Sequence, residues 1–128
     1  MARIRPLIAV VDDEESIRKA LTRLLRSAGL DVKTFSSGVE FMESLAVERP
    51  DCVVLDLHMP FMNGFEVQTR LAKFDPPVPV VIITGHDSEE TREQALAGRP
   101  MAYLRKPIND QTLLDAIELA IRHHQPRV

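Results

Sequence analysis

The stretch "CVVLDLHMPFMNGFEV", residues 52–67, decides the fold and raises the first chemical question. Its apolar run, 52–55, has the length of a strand buried on both faces, and such strands are typical of parallel sheets. The run ends on Asp56, a carboxylate whose burial costs free energy unless neighbouring groups compensate for it. An Asn-Gly pair at 63–64 then separates the strand from a helical pattern. We therefore predict a strand–loop–helix unit with a functional carboxylate at the end of the strand.

The same alternation of strand and helix runs along the whole chain. Ser37 with Glu40 is a capping pattern for the second helix, and Asp87 with Glu90 is one for the fourth helix. Asn109 is the predicted cap of the last helix. Strands that alternate with helices predict an α/β fold with right-handed crossovers and a parallel sheet. The predicted strands are LIAVV (7–11), LDVKTF (30–35), DCVVLD (51–56), VPVVIIT (78–84) and MAYL (101–104).

The composition restricts the class of protein. The chain has 128 residues, 45% of them hydrophobic, which suits one domain with a real core. A formal net charge of −3 gives no basic footprint, so we expect no direct nucleic-acid binding. The single cysteine excludes an intrachain disulfide and favours a reducing compartment. No apolar run approaches the ~18 residues that span a bilayer, and we expect a cytoplasmic protein with no membrane partner.

Acidic and phosphate-binding residue types follow several predicted strands. Asp12 and Asp13 follow the first strand, Asp56 ends the third, Thr84 ends the fourth and Lys106 follows the fifth. The carboxyl ends of parallel strands meet at one edge of the sheet, where ligands bind. Carboxylates held this close repel one another, and Mg²⁺ with oxygen ligands removes that conflict. An ammonium and a hydroxyl beside the carboxylate suit phosphoryl transfer onto that carboxylate.

Four motifs in order resemble the response regulator receiver domains of two-component signalling. They are "VVDDE" (10–14), "VVLDLHMPFMNGFE" (53–66), "VVIITGH" (80–86) and "YLRKP" (103–107). Their spacing is similar to that of the receivers that control nitrogen-fixation genes. The resemblance implies a flavodoxin-like, doubly wound (βα)5 parallel sheet with strand order 2-1-3-4-5. It also implies a receiver domain over 1–124, with 125–128 as a tail or the start of a linker to an output domain.

The resemblance also assigns roles to the acids. Asp56 accepts the phosphoryl group from a sensor histidine kinase. Asp13 and Asp56 bind Mg²⁺ directly, Asp12 acts mainly through water, and the backbone carbonyl of His58 completes the metal shell.

The remaining motif residues receive switching roles by the same resemblance. Lys106 pairs with Asp56 and then with the phosphoryl oxygens. Thr84 moves to bond the phosphoryl group, and Tyr103 swings inward into the space that Thr84 leaves. The Lys106–Pro107 bond is commonly cis in this family, and X-Pro bonds are those for which cis costs little.

Two histidines lie at positions that influence phosphoryl lifetime in receivers. His58 follows Asp56 by two residues, and His86 follows Thr84 by two. Histidine titrates near neutral pH, so either ring can orient or exclude the attacking water. We expect the lifetime of the phosphoryl group to depend on pH between about 5 and 8. Exposed loop histidines without a role are the alternative.

The predicted function is a phosphorylation-activated switch and not a turnover enzyme. Phosphorylation would change the surface of the fourth helix, fifth strand and fifth helix, with a homodimer or a transcriptional output domain as partner. A degenerate receiver that only binds proteins is the first alternative. A Mg²⁺-dependent phosphatase would need an acid where His58 stands, and a flavodoxin would need a Ser/Thr-rich loop where Asp12 and Asp13 stand.

Overall fold

The computed structural model describes residues 5–124, so the predicted tail at 125–128 lies outside the described residues. Five parallel strands form one sheet in the order β2-β1-β3-β4-β5, which confirms the predicted fold class and strand order. The strands are β1 (Leu7–Val11), β2 (Asp31–Phe35), β3 (Cys52–Asp56), β4 (Val80–Thr84) and β5 (Ala102–Arg105). The helices are α1 (Glu15–Ser27), α2 (Gly38–Ser44), α3 (Gly64–Leu71), α4 (Glu89–Ala97) and α5 (Asp110–His124).

The composition of each strand matches its place in the sheet. Every residue of β1, β3 and β4 is buried, as their continuous apolar runs predict for strands covered on both faces. The two edge strands are partly exposed, and three of the five residues of β2 are accordingly polar. The three central strands therefore form the buried middle of the sheet, which fixes the positions of the residues at their carboxyl ends.

Alternate residues of the central strands pack into two separate hydrophobic layers. In β1, for example, Ala9 and Val11 face one layer, whereas Ile8 and Val10 face the other. The first layer contains Phe41 of α2 and buried residues of α3 and α4, and the second contains residues of α1 and α5. Helices cover both faces of the sheet and leave its carboxyl edge open. A ligand-binding site is therefore expected at that edge.

Side-chain caps define where most helices begin, and one predicted cap is wrong. The Ser37 hydroxyl accepts from the Glu40 backbone N–H at 3.1 Å, as predicted, and Asn109 caps α5. The cap of α4 is Ser88, whose hydroxyl accepts from the Thr91 N–H at 3.0 Å. Asp87 was the predicted cap, and its carboxylate instead binds groups on β5 and α4. The reason is that Ser88 reaches the third N–H from the usual cap position.

No helix in the range 5–124 is both long enough and apolar enough to cross a bilayer.

Candidate functional site

Asp56 is the last residue of β3, and the loop after it returns tightly to the strand end. The Gly64 N–H donates to the Leu57 carbonyl at 2.9 Å. A Cβ at Gly64 would lie 2.5 Å from the Asp56 carbonyl oxygen, so only glycine fits there. Asn63 caps α3 by accepting from the Glu66 N–H at 3.0 Å. The Asn-Gly pair therefore closes the loop beside the phosphoacceptor candidate and starts the next helix.

The register of the sheet brings three carboxylates together. Val11 of β1 pairs with Leu55 of β3, so Asp12 and Asp56 follow on neighbouring strands. Both are buried, whereas Asp13 is exposed. One oxygen from each of the three carboxylates lies within 4.8 Å of the others. The predicted acidic cluster is thus present as a geometric unit at the carboxyl edge of the sheet.

Burial and a neighbouring carboxylate shift the pKa of Asp56. Burial, followed by the negative charge of Asp12, raises the pKa of Asp56 from 3.8 to about 7. The charge of Lys106 and a hydrogen bond from the His58 backbone act in the opposite direction without cancelling the rise. Without a metal ion, Asp56 therefore keeps its proton to a much higher pH than an exposed aspartate does.

Lys106 is the cation that faces this cluster. Its backbone N–H donates to the Thr84 carbonyl at 2.8 Å, which fixes it beside the end of β4. Its Nζ lies 2.9 Å from Asp12 Oδ2, 3.0 Å from Glu14 Oε1 and 3.7 Å from Asp56 Oδ1. Burial disfavours the ammonium, but these carboxylates outweigh that effect and the pKa of Lys106 is raised. Lys106 therefore carries its charge throughout the physiological range.

Asp12 is incompletely satisfied in this arrangement. Its Oδ1 accepts from the Glu14 N–H at 2.8 Å. Its Oδ2 is buried and, among residues 5–124, receives no hydrogen bond of good geometry, although the Lys106 ammonium lies close to it. A buried acceptor of this kind normally has a partner, such as an ordered water or an ion. Together with the three clustered carboxylates, this oxygen fits a site for a divalent hard cation with oxygen ligands.

Thr84 and the two histidines lie at the same carboxyl edge of the sheet as the carboxylates. Thr84 is fully buried, and its hydroxyl accepts from the His86 N–H at 3.1 Å. The rings of His58 and His86 meet edge to face, with centroids 5.0 Å apart. Both histidines are exposed, and the His58 ring also lies 6.5 Å from the Phe65 ring. The two rings therefore form a contact beyond the strand ends, which their sequence positions alone did not predict.

Tyr103 lies one strand further along the sheet. It is partly buried on β5, and its hydroxyl donates to Asp87 Oδ1 at 2.8 Å. Burial, followed by the contact with Asp87, raises the pKa of Tyr103 to about 12. The peptide bond between Lys106 and Pro107 is cis.

Sequence reasoning missed two residues of this region. Glu14 received no individual role, yet its carboxylate contacts the Lys106 ammonium. The run of acids at 12–15 was the available signal for it. Asp87 has the pattern of a helix cap, so its contact with Tyr103 was missed. The two residues are 16 positions apart, and no sequence pattern signals a contact at that distance.

Comparison with known proteins agrees with the fold and identifies the family. The response regulator receiver domain family matches residues 8–118, and the chain belongs to that family. It is accordingly a receiver domain of two-component signalling. A response regulator receiver protein from Burkholderia phymatum has the same fold, with a TM-score of 0.82 and 46% identity over 92% of this chain and 96% of that one. The chemotaxis protein CheY4 of Vibrio cholerae also matches, with a TM-score of 0.81 and 30% identity over 91% of this chain and 98% of that one.

Curated relatives include regulators of the nitrogen type. Nodulation protein W of Bradyrhizobium diazoefficiens is 36% identical over 98% of this chain, and the match covers 56% of that protein. The DNA-binding transcriptional regulator NtrC of Escherichia coli is 36% identical over 94% of this chain, and the match covers 26% of that protein. The chain thus spans about half the length, or less, of these relatives.

Proposed function

We propose that this chain is a phosphorylation-activated switch in which Asp56 accepts a phosphoryl group from a sensor histidine kinase. The observation that carries the proposal is the cluster of Asp12, Asp13 and Asp56 facing the Lys106 ammonium at the carboxyl edge of the sheet. A loop that is merely solvated would not need three clustered carboxylates facing a mostly buried lysine. They suit the transfer of an anionic group onto a carboxylate.

In the proposed transfer, an ionised Asp56 oxygen attacks the phosphorus of a phosphohistidine. The O–P bond forms, the P–N bond breaks, and its electron pair returns to the donor imidazole. Asp56 must be deprotonated for this step, and Lys106 favours the ionised form while offering its ammonium to the phosphoryl oxygens. The Thr84 hydroxyl is the proposed hydrogen-bond donor to the same oxygens.

We assign Mg²⁺ binding to Asp13 and Asp56 directly, to Asp12 through water, and to the backbone carbonyl of His58. When bound, Mg²⁺ neutralises negative charge that gathers between the carboxylates and the phosphoryl oxygens. The unsatisfied Asp12 Oδ2 and the raised pKa of Asp56 support this assignment, because a cation would relieve both.

The proposed response is a change of the surface formed by α4, β5 and α5. Thr84 follows the phosphoryl group and Tyr103 moves inward, and the bound group shifts the balance between two states by its different contacts with each. Because NtrC is a DNA-binding transcriptional regulator, we propose that the output is transcription and that DNA is bound outside residues 1–124. We further propose a cytoplasmic location, with 125–128 as a tail or the start of a linker.

Intact mass spectrometry tests the proposed function. The chain is incubated with Mg²⁺ and a small phosphodonor such as acetyl phosphate. We expect the wild type to gain one phosphoryl group and Asp56→Asn to gain none. The control is Asp31→Asn, which should behave like the wild type, because Asp31 is an exposed acid at the amino end of β2, away from the carboxyl edge of the sheet. A wild-type chain that stays unmodified would favour the alternative of a binding module that works without phosphorylation.

A second prediction concerns the histidine pair. Because the His58 and His86 rings contact each other beyond the ends of β3 and β4, we propose that they restrict the access of water to the phosphoryl group. The double variant His58→Ala, His86→Ala should therefore lose the phosphoryl group several-fold faster than the wild type. Decay of the phosphorylated mass after removal of the donor measures this rate. His123→Ala, an exposed histidine on α5, is the control, and an unchanged or slower decay in the double variant would contradict the proposed role.

A further inference from the structure

Asp87 is the centre of a small charged network that spans the loop after β4, the helix α4 and the strand β5. Its Oδ1 accepts the Tyr103 hydroxyl at 2.8 Å. Its Oδ2 pairs with an Arg92 guanidinium nitrogen at 2.7 Å and lies 3.6 Å from one of Arg105. The Arg92 guanidinium also lies 6.0 Å from the centroid of the Tyr103 ring. One carboxylate thus joins three parts of the surface that the proposed switch must rearrange.

The network is specific to Asp87 and is not a by-product of helix capping. Ser88 already caps α4, so the Asp87 carboxylate is free to face the sheet. The Asp87 side chain is 17% exposed, whereas the side chains of Arg92 and Arg105 are 51% and 70% exposed. The hydrogen bond between Tyr103 and Asp87 is therefore the best shielded contact of the network, and the two arginines supply the surrounding positive charge.

The negative charge of Asp87 strengthens its hydrogen bond with Tyr103. The pKa of Asp87 is lowered, first by the hydrogen bond from Tyr103 and further by Arg92 and Arg105. The raised pKa of Tyr103 keeps its hydroxyl protonated as a donor. A neutral donor bonded to an ionised acceptor makes a stronger hydrogen bond than a neutral pair. The contact therefore persists over the whole physiological pH range.

We propose that Asp87 is a positioning residue that holds Tyr103 in its present place and so opposes the switch to the phosphorylated state. This inference rests on the proposed function, in which Tyr103 moves inward. That movement must break the hydrogen bond to Asp87, and the unphosphorylated state is stabilised by the amount that this bond contributes. Loss of the bond raises the fraction of molecules in the state that accepts a phosphoryl group.

The chain provides its own reporter for the contact. Tyr103 is the only tyrosine and the chain contains no tryptophan, so intrinsic fluorescence comes from this one side chain with only a weak contribution from phenylalanine. A carboxylate bonded to the phenol hydroxyl quenches tyrosine emission. Asp87→Ala should therefore raise the emission at neutral pH, and Asp87→Asn should raise it less, because an amide oxygen still accepts a weaker hydrogen bond. Glu90→Ala removes the same charge from an exposed site on α4 and should leave the emission unchanged.

The functional test compares rates of phosphorylation by acetyl phosphate with Mg²⁺, followed by intact mass. We expect Asp87→Ala to be phosphorylated about fivefold faster than the wild type and than Glu90→Ala, with Asp87→Asn between them. In a Tyr103→Phe background, Asp87→Ala should bring little further increase, because the hydroxyl that it holds is already absent.

Two results would overturn the inference. One is an Asp87→Ala rate equal to that of Glu90→Ala, and the other is an equally large effect of Asp87→Ala when residue 103 is phenylalanine. Failure of the proposed function is distinguishable, because the wild type itself would then gain no mass. In that case the fluorescence comparison would still report whether Asp87 holds Tyr103.

Discussion

Asp56→Asn should stabilise the metal-free protein against unfolding by on the order of 2 kcal/mol at about pH 8, with almost no effect at about pH 4. The asparagine resembles the protonated form of Asp56, which the folded protein prefers. The pKa of Asp56 is about 7 in the folded chain against an ordinary value of 3.8, because the side chain is buried beside Asp12. The full shift would correspond to more free energy, but water at this open edge of the sheet screens the carboxylates.

The direction of the pH dependence follows from linkage. An acid whose pKa is raised by folding stabilises the folded state fully below its ordinary pKa. That contribution is lost as the pH rises through the folded value, so the window for Asp56 lies between about 4 and 7. The free energy of unfolding of the wild type should therefore fall across this window relative to that of Asp56→Asn.

Urea denaturation of both proteins in the presence of a chelator measures the difference. Asp31→Asn, at the opposite end of the sheet, is the control for a change of net charge. Added Mg²⁺ should stabilise the wild type more at about pH 8 than at about pH 5, because the ligands must be deprotonated, and should stabilise Asp56→Asn less. A variant that is no more stable than the wild type at about pH 8 would mean that the Asp56 carboxylate is already well compensated without a metal ion.

Lys106→Met should destabilise the metal-free protein by about 2 kcal/mol at about pH 8. The Lys106 ammonium lies within 4 Å of three carboxylates, and Asp12 among them is completely buried. Removing the cation leaves these charges without compensation, and breaking a buried ion pair by losing one partner is strongly destabilising. We expect less than the full cost of a buried pair because solvent reaches this edge of the sheet.

A double-mutant cycle separates this effect from a loss of packing. Lys106→Met should cost less in an Asp56→Asn background, because one of the carboxylates that faces the ammonium is then neutral. Lys19→Met is the matched control, since Lys19 pairs with Glu15 on α1 with a side chain that is 70% exposed. Its effect should stay below about 0.5 kcal/mol. Equal costs of Lys106→Met in both backgrounds would argue that the methylene chain of Lys106, and not its charge, stabilises the fold.

The sheet and the acidic cluster could be predicted because both follow from local patterns. Strands buried on both faces are continuous apolar runs, and the residue after each run must lie at the carboxyl edge of a parallel sheet. These patterns therefore predict that Asp12, Asp56 and Lys106 lie close together. The order of the strands came from the family resemblance, and the full burial of β1, β3 and β4 agrees with their central places in that order.

Contacts between distant loops could not be predicted in the same way. Asp87 and Tyr103 are 16 residues apart, and only the pairing of β4 with β5 and the turn before α4 bring them within 2.8 Å. Asp87 is the predicted cap of α4, but the adjacent Ser88 takes that role in the structure. The contact between the rings of His58 and His86 likewise depends on the geometry of two loops.

The most direct test of the central claim is the site of modification after treatment with a small phosphodonor, with Mg²⁺ or with a chelator. Intact mass and peptide mapping together give the number and the position of the groups added. We predict one phosphoryl group on Asp56 with Mg²⁺ and far slower modification with the chelator. Modification of a different residue, or the same rate without a metal ion, would contradict a phosphoacceptor in a metal-binding carboxylate cluster.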